Sequence, residues 1–226
     1  MSIERLKQGI FKEELKNRFL CLVEIDGKDT LCYIPSSCRL SNFVDMAGKT
    51  VILLPVSSKQ SRTEYSVLSL LIGKKQILLN MTKANAAIKH NLRSRRFAFL
   101  GERKTIKSEC LVKDYKTDLF IEDTKTIVEI KSILSFEKEA IFPTVYSQRA
   151  IDQLIKISEL LDSGYSAAYI FVSMNPCVRR VIVNTEIDKY IKLFRLCVAK
   201  GMKVKGVSLK LQGDEIAIHS SIDVAL

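Results

Sequence analysis

The chain has 226 residues, 47% of them apolar and 27% charged, with nine Gly and four Pro. These proportions describe a globular protein of one or two domains and exclude a linker or a collagen-like chain. Lys and Arg number 36 against 25 Asp and Glu, a formal net charge of +11. That excess points to a polyanionic partner, either nucleic acid or an anionic membrane face.

The first third reads as strands. Phe19–Ile25 and Thr30–Ile34 flank Asp26-Gly27, and Asp-Gly between two such runs predicts a hairpin because both turn positions accept positive φ. Lys49–Leu54, Tyr65–Ile72 and Gln76–Leu79 supply three more strands, the last two joined at Gly73-Lys74-Lys75. Five short strands without strong helices between them predict a small barrel or sandwich. The count suits a five-stranded oligonucleotide-binding (OB) barrel and an SH3-like barrel equally.

The pattern changes near residue 80, which predicts one domain at 1–80 and a second at 81–226. Thr82–Asn91 has a Thr in capping position and apolar Ala84, Ala87 and Ile88, and predicts a short helix. From Lys83 to Lys107 there are eight Lys or Arg and one acid, Glu102. Ile106–Val112, Thr117–Ile121 and Thr126–Lys131 read as strands. Val145–Leu161 is amphipathic through Ile151, Leu154, Ile155, Ser158 and Leu161, and Gly164 ends it. Ala167–Met174 is an apolar strand, Ile187–Ala199 a helix stopped by Gly201, and Met202–Leu209 a last strong strand. Strand, helix, strand, helix, strand predicts an α/β domain with some parallel pairing.

No apolar run approaches the ~18 residues of a membrane span, and the amino terminus lacks the apolar core of a signal peptide. A cytoplasmic protein is therefore expected, and no convincing cationic amphipathic helix supports a membrane partner. The six Cys at 21, 32, 38, 110, 177 and 197 are scattered, with only His90 and His219 beside them. Reduced, packed thiols are expected rather than a disulfide framework or structural zinc.

The segment with the most chemistry runs from Lys116 to Lys131. Glu129 and Lys131 are two apart on one strand and share a face, and a turn through Glu122-Asp123-Thr124-Lys125 brings Asp118 beside Glu129. Val128 and Ile130 would then point into the core. Two carboxylates with the Ile130 carbonyl between them make an oxygen-rich site for Mg²⁺ or Mn²⁺, and a Lys beside them can orient a water. Those are the parts of metal-assisted phosphodiester hydrolysis. On spacing alone, Glu-x-Lys in a charged chain is more often a solvated face with a cross-strand ion pair. The apolar setting of this strand and the basic stretch upstream favour the chemical reading.

Several segments in order resemble the sugar fermentation stimulation protein A family along nearly the whole chain: Asn17-Arg18-Phe19-Leu20, Ile34-Pro35-Ser36-Ser37-Cys38-Arg39-Leu40, Leu79-Asn80-Met81-Thr82 with Asn85, Lys107-Ser108-Glu109 ahead of Asp118, Val128-Glu129-Ile130-Lys131-Ser132, Phe142-Pro143, Gln148-Arg149, Ile187-Asp188-x-Tyr190 and Gly201-Met202-Lys203-Val204. The resemblance implies an N-terminal five-stranded OB-like barrel followed by a PD-(D/E)XK nuclease-like α/β domain. It implies sequence-independent binding of nucleic acid, with DNA as the expected partner. It assigns Asp118, Glu129 and Lys131 as the catalytic positions, and Asp118, Glu129 and Glu109 as ligands of Mg²⁺ or Mn²⁺. Contacts to nucleic acid are expected from Lys116, Gln148, Arg149, Arg93, Arg95, Arg96, Arg103 and Lys104. The alternative is a regulatory binder that keeps the nuclease fold without cutting. Departures from the family pattern are Lys116 for an Arg, Ser36-Ser37-Cys38 for Asn-Thr-Gly, Thr144 for an Asp and Gln148 for a Glu. Nothing in the sequence recognises a sugar.

Overall fold

The structure is a computed structural model and describes residues 6–17, 19–35, 40, 44–58, 60–73, 75–213 and 215–226. Arg18, Ser36, Ser37, Cys38 and Arg39 lie outside the described residues. The chain forms two compact units. One comprises Met1–Ala84, Met174–Pro176 and Leu209–Ala217, the other Asn85–Ser173, Cys177–Ser208 and Ile218–Leu226.

The first unit is built from β1 (Lys7–Glu14), β2 (Leu20–Ile25), β3 (Lys28–Tyr33), β4 (Thr50–Pro55), β5 (Tyr65–Ile72) and β6 (Lys75–Leu78). The order β3-β2-β1-β4-β5-β6, with an additional β3–β5 pairing, closes five strands into a barrel. The closing pair is parallel, Cys32↔Tyr65 and Tyr33↔Ser66, while the other barrel pairings are antiparallel. Closure removes the open edges that a five-stranded sheet would otherwise present. Asp26 and Gly27 both take positive φ, +50° and +77°, and Ile25 pairs with Lys28 across them, as the Asp-Gly hairpin requires. Strand β1 escaped the sequence reading. It carries Gly9, and only Gly9 and Phe11 are buried along it, so its apolar signal is weak. The glycine is a packing requirement: a Cβ there would lie 2.5 Å from Val23 and 2.8 Å from the Glu24 carbonyl.

The second unit holds α1 (Thr82–Asn91) from Asn85 onward and a 3₁₀ turn, Arg95–Leu100, followed by β7 (Ile106–Val112), β8 (Tyr115–Ile121), β9 (Thr126–Ile133), β10 (Glu139–Phe142), α2 (Gln148–Asp162), β11 (Ser166–Ser173), β12 (Arg180–Val183), α3 (Asp188–Ala199), β13 (Lys203–Gln212) and β14 (Glu215–Ala225). The sheet order is β10-β12-β14-β13-β11-β9-β8-β7. Strands β9, β11 and β13 pair in parallel, and β7, β8 and β9 form an antiparallel meander. The mixed sheet agrees with the expected alternation of strands and helices. Strands β10 and β12 are four residues each, too short to carry a readable period.

Helix α2 begins on Ser147, whose hydroxyl accepts the Ala150 N–H. It buries Ile151, Leu154, Ile157 and Leu160 in a core shared with Tyr169, Phe171 and Phe194. Val128 and Ile130 are buried, but so are Ile127 and Ile133 on the opposite face of β9, which join that same core. Glu129 and Lys131 lie between Ile127 and Ile133 on that face, so this polar pair sits within a packed face of the sheet and not on a solvated one. Cys21, Cys32, Cys110 and Cys197 are free thiols, and burial holds Cys32 and Cys197 up at about 11.

Candidate functional site

Register places three acids in one row across three strands. Between β7 and β8 the pairs Ser108↔Leu119 and Cys110↔Thr117 set Glu109 opposite Asp118. Between β8 and β9 the pair Leu119↔Val128 sets Asp118 opposite Glu129. The next position in the row is Tyr169 of β11, the partner of Glu129. Backbone pairing of β8 with β9 covers Leu119↔Val128 to Ile121↔Thr126. Beyond it side chains take over: Asp118 Oδ2 accepts the Ile130 N–H at 2.8 Å, and the Thr117 hydroxyl lies 3.2 Å from the Val128 carbonyl. Glu109 takes φ +47°, which interrupts the β7 ladder at that residue.

Asp118, Glu129 and Lys131 line one open cleft of about 300 Å³ together with Glu109, Lys116 and Arg149. Glu129 is 3% exposed. Its Oε2 accepts the Tyr115 hydroxyl, and its Oε1 accepts Lys131 Nζ at 2.6 Å and Gln153 Nε2 at 2.8 Å. Lys131 Nζ also donates to Gln153 Oε1 at 2.6 Å and lies 5.8 Å from the centre of the Tyr169 ring. Such a buried charge is tolerable because every oxygen has a donor. Asp118 is held above the ordinary carboxylate value, first by its own burial and then by the neighbouring Glu129 charge. The Ile130 N–H, Lys131 and Asn85, whose Nδ2 stands 3.3 Å away, act in the opposite direction.

The remaining expected site residues divide. Lys116 and Glu109 form an exposed ion pair at 3.0 Å at the cleft's rim. Arg149, in the first turn of α2, is exposed and lines the cleft. Gln148 does not line it; its side chain joins Tyr146 to Asp152. The basic stretch lies outside the cleft, and much of it braces backbone. Arg93 donates to the Arg103 and Lys104 carbonyls at 3.1 and 2.6 Å, and Arg103 to those of Gly101 and Ala98. Arg96 donates to the Ser221 hydroxyl at 3.3 Å, Lys104 pairs with Glu102, and Arg95 opens the 3₁₀ turn. Sequence reasoning did not name Tyr115 or Gln153. Gln153 stands one helical turn beyond Arg149, the spacing that puts both on one face, but nothing marked which Gln of α2 would turn inward.

Among the described residues no group of three or more His, Cys, Asp or Glu is gathered to hold a metal ion. Glu109 turns to Lys116, and Glu129 is engaged by three donors. What is gathered is a carboxylate pair, Asp118 beside Glu129, partly desolvated and offset by one Lys. That set suits Mg²⁺, which commonly binds through one or two carboxylates and keeps several waters.

The model of the sugar fermentation stimulation protein RE domain matches residues 82–215. The chain belongs to the sugar fermentation stimulation protein family. Among curated members of the family, the homolog from Desulfitobacterium hafniense is 27% identical over 175 residues, covering 76% of this chain and 75% of that one. The homolog from Ruminiclostridium cellulolyticum is 24% identical over 230 residues, the full length of both. The solved SfsA of Pyrococcus furiosus, in complex with Ca²⁺, matches 100% of this chain and 98% of its own at a TM-score of 0.84 and 22% identity, a likeness of fold. No helix among the described residues is long and apolar enough to cross a membrane.

Proposed function

We propose that this family member binds nucleic acid, DNA first, without reading sequence, and hydrolyses phosphodiesters in the Asp118–Glu129–Lys131 cleft. The observation that carries this reading is the convergence of a desolvated carboxylate pair and a Lys in an open cleft with Arg149 at its wall. Asp118 and Glu129 would hold Mg²⁺ or Mn²⁺, with the Ile130 carbonyl as a further oxygen. The relative from Pyrococcus furiosus was solved with Ca²⁺, which supports a divalent cation here. A cation so held supplies a Lewis acid for the scissile phosphate.

The chain's own residues do the rest. Lys131 has three N–H groups, two of them given to Glu129 and Gln153, and the third serves a phosphate oxygen or the attacking water. Gln153 fixes both Lys131 and Glu129, so neither has to reorganise as charge develops. Arg149 offsets the charge of the phosphate backbone. The net charge of +11 supports a polyanionic ligand.

A second reading, a non-catalytic binder, is favoured by the closed Glu129–Lys131–Gln153 bonding and by Glu109 remaining with Lys116. One assay separates them: labelled single- and double-stranded DNA and RNA, with Mg²⁺, Mn²⁺ or chelator, for the parent and Lys131→Ala. Hydrolysis is expected with cation only, with the variant slower by ~10²–10³. Binding without cleavage by the parent decides for the second reading.

A further inference from the structure

The barrel carries a second cleft, remote in sequence from the acidic row. About 430 Å³ in volume, it is walled mainly by apolar atoms and lined by Phe19, Tyr33, Val56, Ser58, Arg62 and Thr63. Ligand sites for small planar molecules begin at about 300 Å³. The Phe19 and Tyr33 rings are stacked, with centroids 6.2 Å apart and planes at 24°. The β2–β3 register fixes them there, since Tyr33 pairs with Leu20, the residue after Phe19. Tyr33 is 38% exposed and is the one large apolar side chain exposed in this unit among the described residues.

An exposed apolar side chain alone is ordinary. Here the ring extends an aromatic stack along an apolar cleft that the exposed Arg62 also lines. A flat π-face takes a nucleobase because every base offers one, while a neighbouring Arg takes the phosphate that follows it. A base paired within a duplex keeps both faces stacked on its neighbours and cannot enter. The net charge of +11 selects a polyanion over an apolar peptide as occupant.

We infer that the Phe19–Tyr33 cleft, with Arg62, is a stacking site for an unpaired base of single-stranded nucleic acid. This rests on the nucleic-acid reading given above, but not on cleavage. It makes the barrel the part of the chain that prefers single strands over duplex.

The test uses the full chain in chelator, so that binding is read without hydrolysis. The chain has no Trp, so Tyr33→Trp introduces its sole indole. A fluorescein-labelled 15-mer of thymidine and a duplex of equal length are titrated against the parent, Tyr33→Ala, Tyr33→Phe and Arg62→Ala by anisotropy. Tyr33→Ala should weaken binding to the single strand by ~5- to 150-fold, on the scale of one stacked base. The duplex should change by less than about twofold, Tyr33→Phe should keep parental affinity, and Arg62→Ala should lower the salt slope by about one. The Tyr33→Trp emission should be quenched by the single strand and not by the duplex. Equal losses on both ligands, or single-strand binding with no change in emission, overturn the stacking site. If the parent binds neither ligand, the nucleic-acid reading itself fails. If it binds the single strand normally through Tyr33 but never cuts, only the hydrolytic reading does.

Discussion

At the scale of single residues, the acidic cleft is an electrostatic compromise. Asp118 is desolvated beside Glu129 and holds its proton above the ordinary value of 3.8. The folded state therefore binds that proton more tightly than the unfolded chain. By linkage, its contribution to stability is complete below 3.8 and is lost as pH rises through the raised value. Asp118→Asn keeps an acceptor for the Ile130 N–H and removes the titration. In chelator, that variant should be more stable than the parent at neutral pH by on the order of 1 kcal/mol, with the advantage vanishing in acid. Melting curves from pH 3 to 8 check this, and parallel profiles for the two proteins would contradict the buried repulsion. Tyr115 presents the opposite case. Its hydroxyl donates to a carboxylate oxygen that is 3% exposed through its residue. Tyr115→Phe leaves that oxygen unpaired and should cost ~1.5–3 kcal/mol of unfolding free energy in urea titration, the range for bonds to charged groups.

At the scale of elements, the site depends on how closely three strands and one helix pack. Strand β9 presents Glu129 and Lys131 between Ile127 and Ile133, and α2 covers that face with Leu154 and delivers Gln153. The sheet beyond is kept tight by glycine. Gly206 of β13 pairs with Phe171 of β11, and a Cβ there would lie 2.7 Å from the Ile222 carbonyl of β14. Because backbone is the obstacle, the strain cannot be relieved by rotating a side chain. Gly206→Ala should destabilise by ~1–3 kcal/mol through overpacking, read as a lower urea midpoint with unchanged slope. A midpoint equal to the parent's would mean that β13 and β14 are free to separate. The arginines of the basic stretch belong to this scale as well. Arg93 bonds two carbonyls, so its fork is in part a brace for the chain that follows the 3₁₀ turn.

At the scale of the whole molecule, charge dominates association. A chain with 36 cations against 25 anions is expected to gather polyanions by releasing their counterions. Affinity for nucleic acid should fall steeply with salt, by ~10³–10⁵ between 50 and 200 mM if 6–10 phosphates are neutralised. A titration series in potassium chloride measures the slope, and a flat response would remove nucleic acid as the partner. Composition alone fixed that expectation, as local patterns fixed most of the elements: the Asp26-Gly27 turn, the amphipathic stripe of α2 and the parallel β11. Such features are set by neighbours a few residues apart, where φ preferences and side-chain period act directly. The closure of the barrel by β3 and β5, the weakly patterned β1, and the four-residue strands β10 and β12 needed partners dozens of residues away. The same division runs through the cleft. Spacing could bring Asp118, Glu129 and Lys131 to one face, because a hairpin is local. Only the folded sheet decided that this face is buried, that Tyr115 and Gln153 complete it, and that Glu109 turns to Lys116. Those outcomes depend on which groups share a desolvated space, and the linear order of a chain does not record that.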